Sequence, residues 1–557
     1  MRGIKREAGK MQGEATTKYL QNISEKAKIQ IMQNTSLRRE IAQMVMPRLD
    51  GEKLTDPRYL ETIHALIQAG IGGFILFGGT VEHTPRHLRE LQALAGIPLL
   101  ISSDVERGLG QQLAGGTRFP SQRAVASAVN RRSKKDVELL DRMLDAVRIE
   151  TRAAGIHAVF SPVVDVNNNP DNPIICTRSF GDEPEIVEWF ASRYIARLQK
   201  SRGTRDRLEL LACAKHFPGH GDTDEDSHSV LPVIHASRPR LNRVELPPFR
   251  EAVKDGVGMV MVAHLLVPAL DSEKPTTFSK KTVTALLREG MEFDGLIVSD
   301  ALDMGALAAT YTPEDIAVRA VNAGMDILLH PRDANVTIDA VMSAVEQGRL
   351  TSQRISESVG RIMTAKTRLG LFDTAAQKSV KIDYEKHRLI ARDIGKKALR
   401  VVPGEKKVAP LPADVGVACF ILDDDNNKES GDVFVRSMRV CFRHLLAMVL
   451  TPGSEIPESL VLDSVRASEY AVIAVYSRIS ASKGHSGLND TLRDIAVKIL
   501  KTVKSEKGKS IVISFDSPYL LDSFKDADVR IAAYDRLDEI QQAAAELLAG
   551  KEKGKAG

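Results

Sequence analysis

Gly295-Leu-Ile-Val-Ser-Asp300-Ala-Leu-Asp303-Met304 is a short apolar run that stops on a carboxylate. The run Gly295–Ser299 is too short for a typical helix. It is apolar throughout rather than alternating, which reads as a strand buried on both faces. Six more runs of this kind precede or follow it: Ile71–Phe77, Pro98–Ser103, His157–Val166, Leu211–His216, Val257–His264 and Met325–His330. Stretches of helical period lie between them, so the strands are expected to pair in parallel through helical crossovers. Seven strands over roughly 300 residues make a unit the size of a (β/α) barrel, with the eighth strand unplaced. An open doubly wound sheet is the alternative that the pattern alone allows. The globular part is expected to open with a helix over Leu37–Met46, where Ile41, Met44 and Val45 share a face.

A chain of 557 residues exceeds what one core usually supports, so a second domain is expected. Val341–Leu371 reads as helix, and the polar stretch from Thr374 has no periodicity. The boundaries follow: a polar extension over 1–35, the barrel over 36–373, a linker over 374–385 and a C-terminal domain over 386–557. That domain opens with a helical pattern at His387–Leu399. Val415–Leu422, Tyr470–Tyr476, Ser510–Phe515 and Val529–Tyr534 then read as parallel strands, with helices such as Leu488–Val503 and Leu537–Leu548 between them. A three-layer α/β/α sandwich is the expected form, acting as a stabilising partner of the barrel.

Composition excludes several function classes. The net charge is +4 and the 77 basic residues are spread along the chain, so neither nucleic acid nor a membrane surface is called for as a partner. The four cysteines form no CxxC pair, and no run has the length of a membrane span. The first 35 residues hold no apolar leader, which makes the cytoplasm the default expectation; a removed leader would place the protein outside it.

Polar residues sit where the apolar runs end: Asp104, His216, His264, Asp300 and His330, with Arg178 in the loop after Val166. In a (β/α) barrel the strand C-termini and the loops after them build the active site. Acids, bases and donors from separate parts of the chain would therefore meet on one rim. Any one of them alone reads as a cap or loop residue; the repetition points to a site. The densest stretch is Lys215-His216-Phe217-Pro218-Gly219-His220-Gly221-Asp222-Thr223, running on to Asp226-Ser227-His228. Pro218, Gly219 and Gly221 make it a loop with tight turns. His216, His220, Asp222 and His228 are possible metal ligands, although their spacing fits no helical zinc template. Acid/base chemistry fits better: Asp226 would fix the tautomer of His228 and raise its basicity. Asp300, delivered by a rigid strand, suits a nucleophile, and Asp303 is expected to cap the next helix.

With these residues in view, the chain resembles glycoside hydrolase family 3, in its bacterial β-N-acetylglucosaminidase branch. The resemblance lies in KHFPGHGDTDEDSH (Lys215–His228), FDGLIVSDALDMGAL (Phe293–Leu307), VDVNNNPDNPIICTRSFGDEP (Val164–Pro184), MVAHLLVPALD (Met261–Asp271), AVRAVNAGMDILL (Ala317–Leu329) and RLGLFD (Arg368–Asp373). It spans about residues 37 to 375 in chain order and implies the following roles. Asp300 is the nucleophile of a retaining glycosidase. His228, paired with Asp226, is the acid/base on a loop that moves, with Gly219 and Gly221 supplying the mobility. Lys215, His216, Arg178 and Asp104 bind the sugar, with His264 in the same set and, like Asp165, supporting from behind. A plain turn role for Asp165 is the equal alternative. The resemblance implies no cofactor and no metal. The implied substrate is a small carbohydrate with terminal β-linked N-acetylglucosamine, as in cell-wall or chitin-type fragments. Transfer to phosphate instead of water, and a β-glucosidase or β-xylosidase activity, are the alternatives. One departure stands out: Gln112 occupies a position where the family often has arginine, with Arg107 as a possible substitute.

Overall fold

The computed structural model describes residues 37–200, 207–373, 381–402, 410–427, 429–477, 487–551 and 555–556. The expected polar extension over 1–35 lies outside these residues, as does most of the expected linker, at 374–380.

Eight strand positions close into a parallel barrel. Pro47 splits the first into β1 (Val45–Met46) and β2 (Arg48–Asp50). The others are β3 (Gly73–Phe77), β4 (Leu100–Ser103), β5 (Ala158–Val159), β6 (Leu211–Phe217), β7 (Met259–Val262), β8 (Leu296–Ser299) and β9 (Leu328–Leu329). Strands β2 to β8 pair in chain order. The ring closes because β9 pairs with β1 through Val45–Leu328 and Met46–Leu329, and meets β8 at Val298–Ile327. Helices such as Pro57–Gln68, Pro184–Leu198 and Ala334–Glu346 return the chain outside the ring. The open-sheet alternative is thereby replaced by the barrel.

Val45–Asp50 is the strand that periodicity does not supply. The opening helix ends at Gln43. Met44 and Val45, expected on its face, enter the barrel wall instead and are fully buried. The Leu328 amide donates to the Met44 carbonyl at 2.8 Å. Proline at 47, with charges at 48 and 50, breaks the apolar run that marks the other strands. The proline is tolerated because it falls between two short ladders, and its carbonyl still accepts from Ile75 N at 3.0 Å.

The C-terminal domain is a seven-stranded sheet in the order β12-β11-β13-β14-β15-β10-β16. Its strands are β10 (Arg400–Val401), β11 (Gly416–Asp423), β12 (His444–Leu450), β13 (Tyr470–Tyr476), β14 (Lys509–Ser514), β15 (Val529–Ala532) and β16 (Lys555–Ala556). Only the β10–β15 pairing is antiparallel. The edge strand β12 is a further one that the sequence pattern does not reveal, because it is half exposed and follows the helix Asp432–Cys441 with no breaker between. Val461, Leu492 and Ile499 pack one face of the sheet. Phe434, Ile540 and Ala544 pack the other, in a core continuous with the barrel. The helix Tyr384–Ala398 begins inside the expected linker and belongs to this shared core through Ile390 and Ile394.

Polar contacts fix the two domains together. Asp535 pairs with Arg107 and accepts from Ser121 N at 2.7 Å. The Ser121 hydroxyl donates to Tyr534 O at 2.9 Å. His387 Nδ1 lies 2.5 Å from Glu150 Oε1. No helix among the described residues is long and apolar enough to cross a membrane.

One buried lysine sets a pH dependence of stability. Lys366 is wholly buried, and its ammonium donates to Gln43 Oε1 at 2.7 Å with no carboxylate beside it. Burial pushes it down to about 7. Below about 7 the lysine is charged in both the folded and the unfolded chain, and the full cost of burying that charge is present; between about 7 and the ordinary lysine range only the unfolded chain keeps the proton, so the cost shrinks and folding becomes more favourable as pH rises. Lys366→Met should therefore raise the thermal midpoint most at pH 6, with the gain shrinking toward pH 9. A gain independent of pH would contradict the assignment.

Candidate active site

The strand C-termini open into a cavity of about 790 Å³. Asp104, Arg178, Lys215, His216, His228 and Asp300 all line it. Two residues of the expected set do not. Asp226 stands behind His228, with 2 % of its side chain exposed. His264 is fully buried. Its Nε2 lies 2.9 Å from Ala301 O and its Nδ1 2.7 Å from Thr277 Oγ1. It braces the turn that carries Asp300 rather than facing a ligand, which corrects its grouping with the substrate-contacting residues.

The charged wall is built around Glu106, a residue to which the sequence pattern assigns no role. Glu106 Oε1 lies 2.7 Å from Lys215 Nζ. Arg178 grips the same carboxylate twice, Nε to Oε2 at 3.0 Å and Nη2 to Oε1 at 2.8 Å. Lys215 also reaches Asp104 Oδ1 at 2.8 Å. Burial alone would push the Glu106 carboxyl up; Arg178 and Lys215 outweigh it and hold it far below the usual carboxylate range. Burial pulls Lys215 down, and Asp104 and Glu106 outweigh that and keep it charged. Asp104 and Arg178 are thus presented with one side held and the other open to the cavity.

Asp165 is not a plain turn residue. It is fully buried and accepts from His216 N at 3.1 Å and His220 N at 2.7 Å. Its Oδ2 lies 2.7 Å from His216 Nδ1. His220, with its Nε2 3.0 Å from Ser227 Oγ, carries the connection to the residue before His228. Burial, followed by the neighbouring His216, lowers His220 to about 4, so it is a neutral strut at physiological pH. The four possible metal ligands do not converge: His216 is engaged by Asp165, His220 by Ser227, Asp222 by Arg240 at 3.3 Å, and His228 by Asp226. Among the described residues no three histidines, cysteines or carboxylates are grouped to hold a metal ion.

His228 Nδ1 lies 2.8 Å from Asp226 Oδ1, and its amide donates to the same oxygen at 2.9 Å. The loop is tied to the turn after β8: Gly305 N donates to His228 O at 3.1 Å and Ala306 N to Ser227 O at 3.3 Å. Asp300 accepts from Ala301 N at 2.8 Å. Burial favours its neutral form, but the imidazoles of His216 and His264, the Ala301 amide and Lys215 outweigh burial and lower its pKa, leaving an anion. The loop glycines have a packing role: a Cβ on Gly219 would lie 2.8 Å from Glu245 Cβ. A Cβ on Gly221 would lie 1.8 Å from the Val166 carbonyl oxygen. Asp303 does not cap a helix; its Oδ1 lies 3.1 Å from His330 Nδ1, and the following short helix has no side-chain cap.

The C-terminal domain is more than a stabilising partner, since its Asp516 and Arg536 line the cavity. Arg536 pairs with Asp516 and with Asp425, the latter at 3.1 Å. Arg107, also on the wall, is committed to Asp535. Gln112 turns its amide onto the Asp104 carbonyl at 3.1 Å.

An anionic carboxylate, an imidazole–carboxylate pair and a wall of paired charges around one barrel mouth form the site of a glycoside hydrolase. The chain belongs to glycosyl hydrolase family 3: the pattern described as the glycosyl hydrolase family 3 N terminal domain matches residues 36–365. Beta-hexosaminidase A of Pseudoalteromonas piscicida is 27% identical over 498 residues, covering 82% of this chain and 81% of that one. The beta-hexosaminidase of Chromobacterium violaceum is 34% identical over 325 residues, 57% of this chain and 87% of that one. A solved family 3 β-N-acetylglucosaminidase from a Paenibacillus species superposes with a TM-score of 0.80 at 28% identity, covering 93% of this chain and 98% of that one.

Gly305 offers a direct test of the loop anchor. A Cβ there would lie 2.5 Å from the His228 carbonyl oxygen. Gly305→Ala should push the His228 segment off the Asp300 turn and lower kcat by about a hundredfold, the scale of a 1 Å misplacement. KM should move much less. An unchanged kcat would show that the anchor does not position His228.

Proposed function

We propose that the chain is a retaining exo-β-N-acetylglucosaminidase that releases terminal β-linked N-acetylglucosamine from cell-wall or chitin-type fragments. The observation that carries this reading is the cavity shared by Asp300 and the Asp226-backed His228. The names of the related proteins support the sugar. Asp300 attacks C1 of the bound sugar and forms a covalent glycosyl ester, while His228 gives a proton to the departing oxygen. His228 then takes a proton from water, which attacks C1 and frees Asp300. Asp226 holds the imidazole at Nδ1, which leaves Nε2 to face the departing oxygen. Asp104, Arg178, Lys215 and His216 bind the sugar hydroxyls, and Glu106 keeps Lys215 and Arg178 in place.

Transfer to phosphate rests on one feature: an imidazole beside the acceptor repels an anion less than a carboxylate does. Product analysis in phosphate buffer separates the two acceptors, free N-acetylglucosamine marking hydrolysis and the 1-phosphate marking phosphorolysis.

Asp300→Asn should lower kcat/KM on a 4-nitrophenyl N-acetylglucosaminide by about a thousandfold or more. His228→Ala should cost about 10²–10⁴ on a substrate with a poor leaving group. It should cost far less at the glycosylation step of an activated aryl glycoside, which needs no proton, and the alkaline limb of that step's pH profile should vanish. Because the Asp300 pKa is lowered, the nucleophile is lost only as pH falls below the ordinary carboxylate range. An acid limb well above that range that disappears in Asp300→Asn would contradict this. Full activity of either variant on the poor leaving group would overturn the reading.

A further inference from the structure

His330 and Asp303 form an imidazole–carboxylate pair inside the cavity that the reaction scheme does not use. His330 ends the last barrel strand in the left-handed region, with φ 44°. Its amide donates to Met46 O at 2.8 Å. Nδ1 is held at Asp303, which leaves Nε2 as the ring nitrogen available to a ligand. One side of the ring meets Phe77 at 6.0 Å between centroids. Phe77 is fixed in turn by the Arg48 guanidinium, 4.8 Å from its ring centre.

The place of this pair relative to the reacting carbon follows from connectivity. Asp303 and Met304 lie on the turn that leaves Asp300. The strand end carrying His330 is stitched to that turn, since Leu302 N donates to Leu329 O at 3.0 Å. The opposite wall of Asp104, Glu106, Arg178 and Lys215 is dense in charge and suits hydroxyls. A methyl-bearing amide needs something else: apolar contact for the methyl and a polar atom for the amide. Phe77, Met304 and Leu329 line the cavity beside His330 and provide that combination. In a sugar attacked at C1, the ring oxygen and C2 flank the reacting carbon and only C2 carries a substituent, so a side chain beside the nucleophile's turn is within reach of that substituent.

We propose that His330, positioned by Asp303 and Phe77, is the specificity residue that receives the 2-acetamido group of the substrate. This rests on the N-acetylglucosaminidase reading above. The imidazole Nε2 bonds the amide, and Phe77 and Met304 cover its methyl. A 2-hydroxyl, as in a glucoside, uses neither contact.

The test compares 4-nitrophenyl β-N-acetylglucosaminide with 4-nitrophenyl β-glucoside on wild type, H330N, H330Q and F77A. Asparagine accepts the left-handed backbone and withdraws the ring; glutamine keeps a polar group at about the same reach. H330N and F77A should lower the ratio of kcat/KM values, acetamido over hydroxyl, by about tenfold or more, mainly through KM for the acetamido sugar. H330Q should restore part of the ratio. Thermal midpoints identify variants that lose both activities by unfolding, and the ratio measured on the folded fraction still decides. A wild type that prefers the N-acetylglucosaminide, with variants that lose both substrates in equal proportion, overturns the seat alone. A wild type with no such preference removes the underlying reading and the seat with it.

Discussion

Two carboxylates, a lysine and an arginine are packed together at the mouth of the barrel, and the lysine and Glu106 are almost wholly out of water. Separately, each buried charge would cost several kcal/mol; together they are tolerable only because each is paired. Removing one partner from such a group leaves an uncompensated charge, at a cost of about 3–5 kcal/mol. That constraint ties the ends of β4 and β6 and the Arg178 loop into one rigid wall. The open edges of Asp104 and Arg178 then face a ligand without first having to be ordered, which is what a sugar with many equivalent hydroxyls requires.

Three histidines of the cavity repeat a single device, an imidazole backed by a carboxylate. Asp165 holds His216, Asp226 holds His228, and Asp303 holds His330. The surroundings separate them. His216 is deep and locked to the Arg178 wall. His228 is about a third exposed, on a loop anchored by backbone bonds to the Asp300 turn. His330 lies against an aromatic ring on the last strand. On the proposed function, three copies of one pair take three tasks: holding the sugar, moving a proton and reading the C2 substituent.

The barrel is legible in the sequence where burial on both faces leaves an uninterrupted apolar run, as at Gly295–Ser299. It is illegible at Val45–Asp50, where proline and two charges interrupt a strand whose Val45, Met46 and Leu49 are nevertheless buried in the barrel wall. Asp300, His228 and Lys215 stand out because charge at the end of an apolar strand, or crowded into a glycine-rich loop, is costly to place there without a task. Glu106 gives no such signal, because its importance lies in whom it touches: Arg178 is 72 residues away in sequence. The same holds for Asp303, which local spacing assigns to a helix cap and which the fold delivers to His330. Asp516 and Arg536 carry no sequence signal at all; only the docking of the second domain, through Asp535 and Tyr534, brings them to the cavity. Residues that act through the chain around them are legible, and residues that act through distant partners are not.

On the proposed function, Asp300 becomes covalently bonded to C1 of the sugar. A 5-fluoro N-acetylglucosaminyl fluoride of β configuration should let the first step proceed through its good leaving group, and should slow the second by disfavouring the positive charge that develops on the ring. Peptide mass spectrometry of the inactivated enzyme should then find a single sugar adduct on the fragment containing Asp300, lost on standing as activity returns. An adduct on another carboxylate, or turnover with inversion and no adduct, would contradict the account.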